Sequence, residues 1–289
     1  MLVSTAVVMY MDEKRARLRA TTIEGYESAL RRHVLPRWGS MDVERIDPDD
    51  VQRWVDGFEL AGAAEKAYKT LRQVIRWSMR RLRLRIADPT AGVELPRKAP
   101  YRPRVLSARQ ERDMLRGIAG APFEAVVLCA ATLGLRRCEA CGLDWSDVDF
   151  RSGRVHVRRG LHVVGGREVV TPPKTDRSDR VLTLPAFALK RLRKIAAGRR
   201  RGRMCAMGPD QVAHALKRWC ITRGLPWVPM QCLRHSWATI SIGIGTPLAD
   251  VALCLGHSTQ QTCFEHYLVR TSDICRRAAR SYADAVLGS

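Results

Sequence analysis

The stretch "LGLRRCEACGLDW", Leu133–Trp145, decides how the chain is read. The apolar run "FEAVVLCAATLGL" leads into it and reads as a long buried helix. Arg136 stands at the end of that helix, and Glu139 follows one turn later. Alone, such a pair is usually a solvated surface ion pair. Its meaning depends on what the rest of the chain brings to it. Cys138 and Cys141 in the same stretch form one C-x-x-C. A zinc site needs a second ligand pair, and none is spaced for it, so they read as small buried residues on a helix.

Downstream the period changes. "RSGRVHVRRGLHVVGGREVVTPPKTDRSDRVLTLP" reads as three short strands, with Gly165-Gly166 and "KTDRSD" as the turns. Helices resume after it and run to the end. Upstream, Ser107 opens a capped helix. Before that, "ADPTAGVELPRKAPYRPRVL" breaks the pattern with four prolines over about 88–106. This break sets a first domain at 1–92, a linker at 93–106 and a second domain at 107–289.

The first domain reads as helical throughout. Thr21 and Thr22 are placed to cap a helix carrying Ile23, Tyr26, Leu30 and Val34. "IDPDDVQRWVDGFELAG" is a second helix, with Asp47 as N-cap, Pro48 in its first turn and Val51, Trp54, Val55 and Phe58 on its apolar face. "AEKAYKTLRQVIRWSMRRLRLR" is a third, basic on one side. The expected fold class is therefore mainly α with a small antiparallel β-sheet.

Composition narrows the partner. The chain of 289 residues carries 50 Lys and Arg against 29 Asp and Glu, a net charge of +21. The first hundred residues hold nineteen basic and fourteen acidic side chains, and the remainder thirty-one and fifteen. A polyanion is the expected partner, nucleic acid before an anionic membrane. No apolar run is long enough to span a bilayer. "MLVSTAVVMYMDEKRARLR" lacks both the apolar core and the preceding basic flank of a signal peptide. The nine cysteines all lie from Cys129 onward at irregular spacing. A disulfide framework is not expected, and a reducing cytoplasm fits.

Four more pieces carry chemistry, each weak alone. "VTPPKTDRSDR" sets Lys174 at the tip of an expected hairpin. "PMQCLRHSWATI" sets Arg234 and His235 at a helix start. "CLGHSTQQ" sets His257 just after an apolar helix, and Tyr267 follows about three helical turns later. Together they meet the needs of phosphodiester cleavage. Two arginines grip the non-bridging oxygens with planar, permanently charged forks. A lysine on a hairpin suits protonation of the leaving oxygen. A tyrosine among cations gains nucleophilicity, because nearby positive charge favours the phenolate. No acidic cluster suited to magnesium lies near these residues, so no cofactor is expected.

These segments resemble the tyrosine recombinases, the phage-integrase family, over nearly the whole chain. "TTIEGYESALRRHVLPRWGSMDVERIDPDDVQRWV" is similar to the family's core-binding, SAM-like DNA clamp. "LGLRRCEACGLDWSDVDF", "LRHSWAT" and "LGHS" are similar to its catalytic motifs. The resemblance implies that Arg136 is the first arginine, Lys174 the hairpin lysine, Arg234 the second arginine, His257 the second histidine and Tyr267 the nucleophile. Glu139 falls at a supporting acidic position.

Two departures stand out. Where the family usually has histidine, three residues before the second arginine, this chain has Gln231. Glutamine donates and accepts hydrogen bonds but cannot carry a proton at neutral pH. The interval from His257 to Tyr267 is ten residues, nine being commoner, and His266 fills the nine position.

The resemblance further implies a 3′-phosphotyrosyl intermediate, a Holliday junction, double-stranded DNA as partner and a homo-tetramer on DNA. An accessory directionality factor is compatible with it, and no membrane role is implied. The amphipathic "ICRRAARSYADAVLGS" is expected to dock on a neighbouring protomer. Only about twenty residues precede the first clamp helix, which suits members without an arm-binding domain. A weakly catalytic DNA-binding relative and a type IB topoisomerase-like enzyme remain as alternatives.

Overall fold

A computed structural model describes residues 1–173 and 178–256. The chain divides into two compact units, Met1–Arg102 with Val163–Arg167, and Pro103–His162 with Glu168–Ser289. No described helix is long and apolar enough to cross a membrane.

The first unit is helical, built from α1 (Val3–Arg15), α2 (Ala20–Ala29), α3 (Leu35–Trp38), α4 (Pro48–Asp56) and α5 (Ala61–Leu82). Asp47 caps α4 by accepting from the Asp49 amide at 2.8 Å, as its sequence position implies. The apolar stripe of α5, Ala64, Ala67, Tyr68, Leu71, Val74, Ile75 and Ser78, is buried at a spacing of three and four residues. Trp38 is fully buried and meets Trp54 edge-on at 5.6 Å. Tyr10 lies edge-on to Tyr26 and Trp77 and donates to Gln73 at 2.7 Å.

Two expectations are corrected here. Thr21 and Thr22 lie inside the first turn of α2 and do not cap it, the N-cap being Arg19. The residues ahead of α2 are themselves a bundle helix, α1, which buries Val3, Ala6, Val7, Tyr10 and Met11. Between α2 and α3 the backbone widens into a π-helical turn over Leu30–Val34. Pro36 lacks the amide that would continue the α-helical bonding there, and the wider turn accommodates the loss.

The second unit begins with α6 (Ala108–Gly117), closed by a full capping box between Ser107 and Gln110. All ten residues of α7 (Glu124–Leu133) are buried. After α8 (Arg137–Cys141) come β1 (Val148–Asp149), β2 (Arg154–Val157), β3 (Gly160–Val164), β4 (Arg167–Thr171) and β5 (Arg180–Thr183). Helices α9 (Ala186–Ala196), α10 (Pro209–Thr222), α11 (Met230–Gly243) and α12 (Leu248–Leu255) complete the described chain.

Among the described residues the strands are five in two sheets, not three in one. One sheet has the order β1-β2-β5 and the other pairs β3 with β4. The break between β2 and β3 falls at Arg158 and Arg159. Both side chains turn to the buried carboxylate of Asp147, which pulls the backbone out of a continuous strand. β4 pairs with β3, and β5 with β2; Lys174, the expected hairpin tip, lies between β4 and β5 outside the described residues. The hairpin turn is Gly165-Gly166, both at positive φ as such a two-residue turn requires.

One glycine sets the geometry that follows. Gly134 ends α7 at φ 62°, and a Cβ there would sit 2.8 Å from the Trp237 ring and 2.9 Å from Leu255. The turn lets α7 end directly beneath α11 and α12. Gly134→Ala therefore adds a clash to the left-handed backbone penalty, and should lose about 2–4 kcal/mol of stability. Gly92 has φ 75° with open space around it. Gly92→Ala should lose only the backbone share, about 1–2 kcal/mol. Urea unfolding of both variants checks this, and equal losses would show that Gly134 is not a packing constraint.

Candidate active site

The site grows from the turn after Gly134. Arg136 is the N-cap residue of α8, with extended backbone at φ −66°, ψ 152°. Glu139, at the third position of the helix, reaches back and accepts the Arg136 amide at 2.9 Å. The same carboxylate accepts from Arg136 Nη1 at 2.7 Å. One glutamate thus holds both the backbone and the guanidinium of Arg136. The arginine side chain stays 38 % exposed, while that of Glu139 is 9 % exposed.

A buried carboxylate needs more than one cation. Arg180, the first residue of β5, supplies the second. Its Nη1 and Nη2 donate to the two oxygens of Glu139 at 3.3 and 3.0 Å. Arg234 Nη1 lies 4.0 Å from the same group. Burial pushes the Glu139 pKa up, but hydrogen bonding and charge from Arg180, then the charge of Arg136, outweigh it and hold it at about 2. The carboxylate is ionised at any working pH.

Arg234 sits in the first half of α11 and is 5 % exposed. It donates to the carbonyl of Gly134 at 3.0 Å and of Leu255 at 2.7 Å. Arg180 Nε donates to the carbonyl of Cys254 at 2.7 Å, and Arg136 Nη2 reaches that of Gly256 at 3.4 Å. Three arginines from three elements therefore meet successive carbonyls at the C-terminal end of α12. Such carbonyls lack helical partners, and the helix dipole makes this end negative, so cations belong there.

Gln231 is exposed in the first turn of α11, one turn before Arg234 on the same side of the helix. Arg136, Glu139 and Arg234 are thus brought together, and Gln231 stands three residues before Arg234 at the start of the same helix. Lys174, His257, His266, Tyr267 and the segment "ICRRAARSYADAVLGS" lie outside the described residues. His257 is the next residue in the chain after Gly256, whose carbonyl faces Arg136. Cys141 is buried, and burial pushes its thiol up to about 12, in keeping with a packing role.

Sequence reasoning missed Arg180. It appears in "SDRVLTLP" as one more arginine in a basic chain, and nothing in its spacing ties it to Glu139. The only cue is a polar residue opening a short β segment, and that is ordinary.

Comparison with known proteins bears on the family and the fold. Residues 3–58 match the model for the phage integrase N-terminal SAM-like domain, and residues 105–272 match that of the phage integrase family. The chain is 25 % identical over 283 residues to an integrase of Mycobacterium phage D29, covering 90 % of this chain and 74 % of that one. It superposes on the Tn1549 transposon integrase in complex with a circular intermediate DNA with a TM-score of 0.80, at 17 % identity over 98 % of this chain and 100 % of that one. A lambda integrase tetramer bound to a Holliday junction gives 0.71 at 16 % identity, over 94 % and 80 %. At such identities the structural likeness speaks for the fold, and the family matches, which cover more than half of the residues, speak for descent. The chain belongs to the phage integrase family, the tyrosine recombinases.

Proposed function

We propose that the protein is a site-specific recombinase that cuts and rejoins duplex DNA through a bond between Tyr267 and a 3′-phosphate. The observation that carries this is the convergence of Arg136 and Arg234 on one buried glutamate, beside the chain that runs on to His257. Arg136 and Arg234 hold the non-bridging oxygens of the scissile phosphate as charge grows on them. The Tyr267 hydroxyl loses its proton to water, eased by these cations, and its oxygen bonds to phosphorus. The bond from phosphorus to the 5′-oxygen breaks. Lys174 donates a proton to that oxygen, which leaves as a 5′-hydroxyl. His257 and Gln231 donate hydrogen bonds to the phosphate. A hydroxyl from another strand reverses the step, so the energy of the phosphodiester is kept in the covalent bond.

The working form is a homo-tetramer on two DNA sites that exchanges strands through a Holliday junction. The lambda integrase tetramer, bound to such a junction, supports this arrangement. The net charge of +21 supports DNA as the partner. The domain division follows the same plan, a core-binding domain at 1–92, a linker at 93–106 and a catalytic domain at 107–289. All seven described cysteines are free thiols, which suits a cytoplasmic site of action. A mobile element is the natural setting, and an accessory factor could set the direction of exchange. Gln231 favours a second reading, a DNA-binding relative with weak catalysis.

Three measurements separate these readings, using nicked duplexes tiled across the DNA that flanks the gene. Tyr267→Phe keeps the ring and removes the attacking oxygen, so DNA binding should survive and the covalent adduct should vanish. An adduct lost in His266→Ala but kept in Tyr267→Phe would reassign the nucleophile. Affinity should fall about a thousandfold between about 50 and 200 mM salt if roughly six phosphates are neutralised. A flat salt response would contradict the DNA partner. Gln231→His should change the single-turnover cleavage rate little across about pH 6 to 9, because hydrogen-bond donation is the role retained. If the unaltered protein forms no adduct and the histidine restores one, the weak relative is the right reading.

A further inference from the structure

Arg180 is the buried cation that the roles above leave unused. Its side chain is 8 % exposed, against 38 % for Arg136. Its donors go to both oxygens of Glu139, to the carbonyl of Ser178 at 3.1 Å and to that of Cys254 at 2.7 Å. A guanidinium so engaged has little left to offer a phosphate. It does join three things: β5, which follows the Lys174 segment; the carboxylate that orients Arg136; and the last turn of α12, which leads to His257.

We propose that Arg180 is a positioning residue for DNA cleavage, fixing Arg136 through Glu139 and fixing the end of α12 from which His257 follows. The inference rests on the recombinase reading and deepens it. A planar fork is needed, because two carboxylate oxygens and a carbonyl lie in different directions from one side chain. Lysine would supply the charge as a single point and could not hold all three.

The groups facing Glu139 are Arg136 from α8, Arg180 from β5 and Arg234 from α11, with the Cys138 thiol beside it in sequence. In the unaltered protein its folded-state pKa is depressed by Arg180 and Arg136, so it stays ionised from about pH 5.5 to 8. Without Arg180 the burial penalty is less opposed, and the pKa rises. Protonation then enters as pH falls, and the hold on Arg136 weakens in the same direction.

The experiment compares the unaltered full-length protein with Arg180→Gln, Arg180→Lys and the double variant Glu139→Gln with Arg180→Gln. Each is read by single-turnover cleavage on the nicked flanking duplexes, by affinity for the same duplexes and by melting temperature. Arg180→Gln should cleave about a hundredfold more slowly, the scale of a small misplacement of reacting groups. Its affinity should be unchanged, and its deficit should deepen as pH is lowered. Arg180→Lys should flatten the pH response while leaving the rate low. The double variant removes the uncompensated buried charge, so its melting temperature should recover while its cleavage stays slow. Cleavage that recovers together with the melting temperature would reduce Arg180 to a structural role and overturn the proposal. So would an Arg180→Gln protein that cleaves normally at all pH. If the unaltered protein itself gives no adduct on any duplex, all arms are blank, and the recombinase reading fails with the proposal.

Discussion

The carboxylate of Glu139 is the constraint on which the catalytic end of the second unit depends. Taking a charge out of water is unfavourable by several kcal/mol unless partners surround it. Here the partners are the Arg136 amide and guanidinium and both forks of Arg180, with Arg234 at 4.0 Å. Removing one partner of such a buried pair typically costs about 3–5 kcal/mol, because the other charge is left alone. The arrangement therefore holds as a unit. Its result is an Arg136 side chain fixed on one side by Glu139 and open on the other. In the proposed reaction, a donor held in this way would need no reorganisation to meet the phosphate, and that is where electrostatic catalysis gains most.

The second anchor is the end of α12. A helix leaves its last carbonyls without helical partners. Cys254, Leu255 and Gly256 meet arginines from β5, α11 and the start of α8. These residues are far apart in the chain, Arg136 and Gly256 by 120 positions. Neutralising the negative end of one helix draws the elements together, and the glutamate takes up the charge that three guanidiniums bring. The close packing of Gly134 against Trp237 and Leu255 completes the junction, since any larger residue would push α7 away from α11 and α12. Packing and electrostatics thus fix the same point from opposite sides.

How much of this was legible follows from the range of each interaction. Asp47 and Ser107 act within one turn of their own helices, and both caps stand where the sequence puts them. Arg136 and Glu139 are three residues apart, and their pairing is as local. The fold class was legible for the same reason, since helical periodicity is a local signal. The split of the strands was not. It turns on Asp147 drawing in Arg158 and Arg159 from eleven and twelve residues away. Helix α1 was not singled out because the exposed apolar Val8 and Met9 blur the contrast between its buried and solvent faces. Arg180 was hidden for the strongest reason: its partners lie 41 and 74 positions away, and no local pattern marks an arginine that will be buried.

Gln231 can be understood from the same electrostatics. It sits at the N-terminal end of a 14-residue helix, where the dipole is positive, one turn before the buried cation Arg234. A histidine in such a place would be discouraged from protonation by both neighbours. It would be a neutral side chain over most of the working pH range, able to donate one hydrogen bond. Glutamine is also neutral and also donates. The exchange therefore leaves the charge of the site unchanged and keeps a donor at the helix start. What it removes is a place to park a proton; under the proposed mechanism the cations held by Glu139 reduce the need for one, because nearby positive charge favours a phenolate. On the proposed reading, the buried glutamate that fixes the arginines is the feature that lets glutamine stand where the histidine usually does.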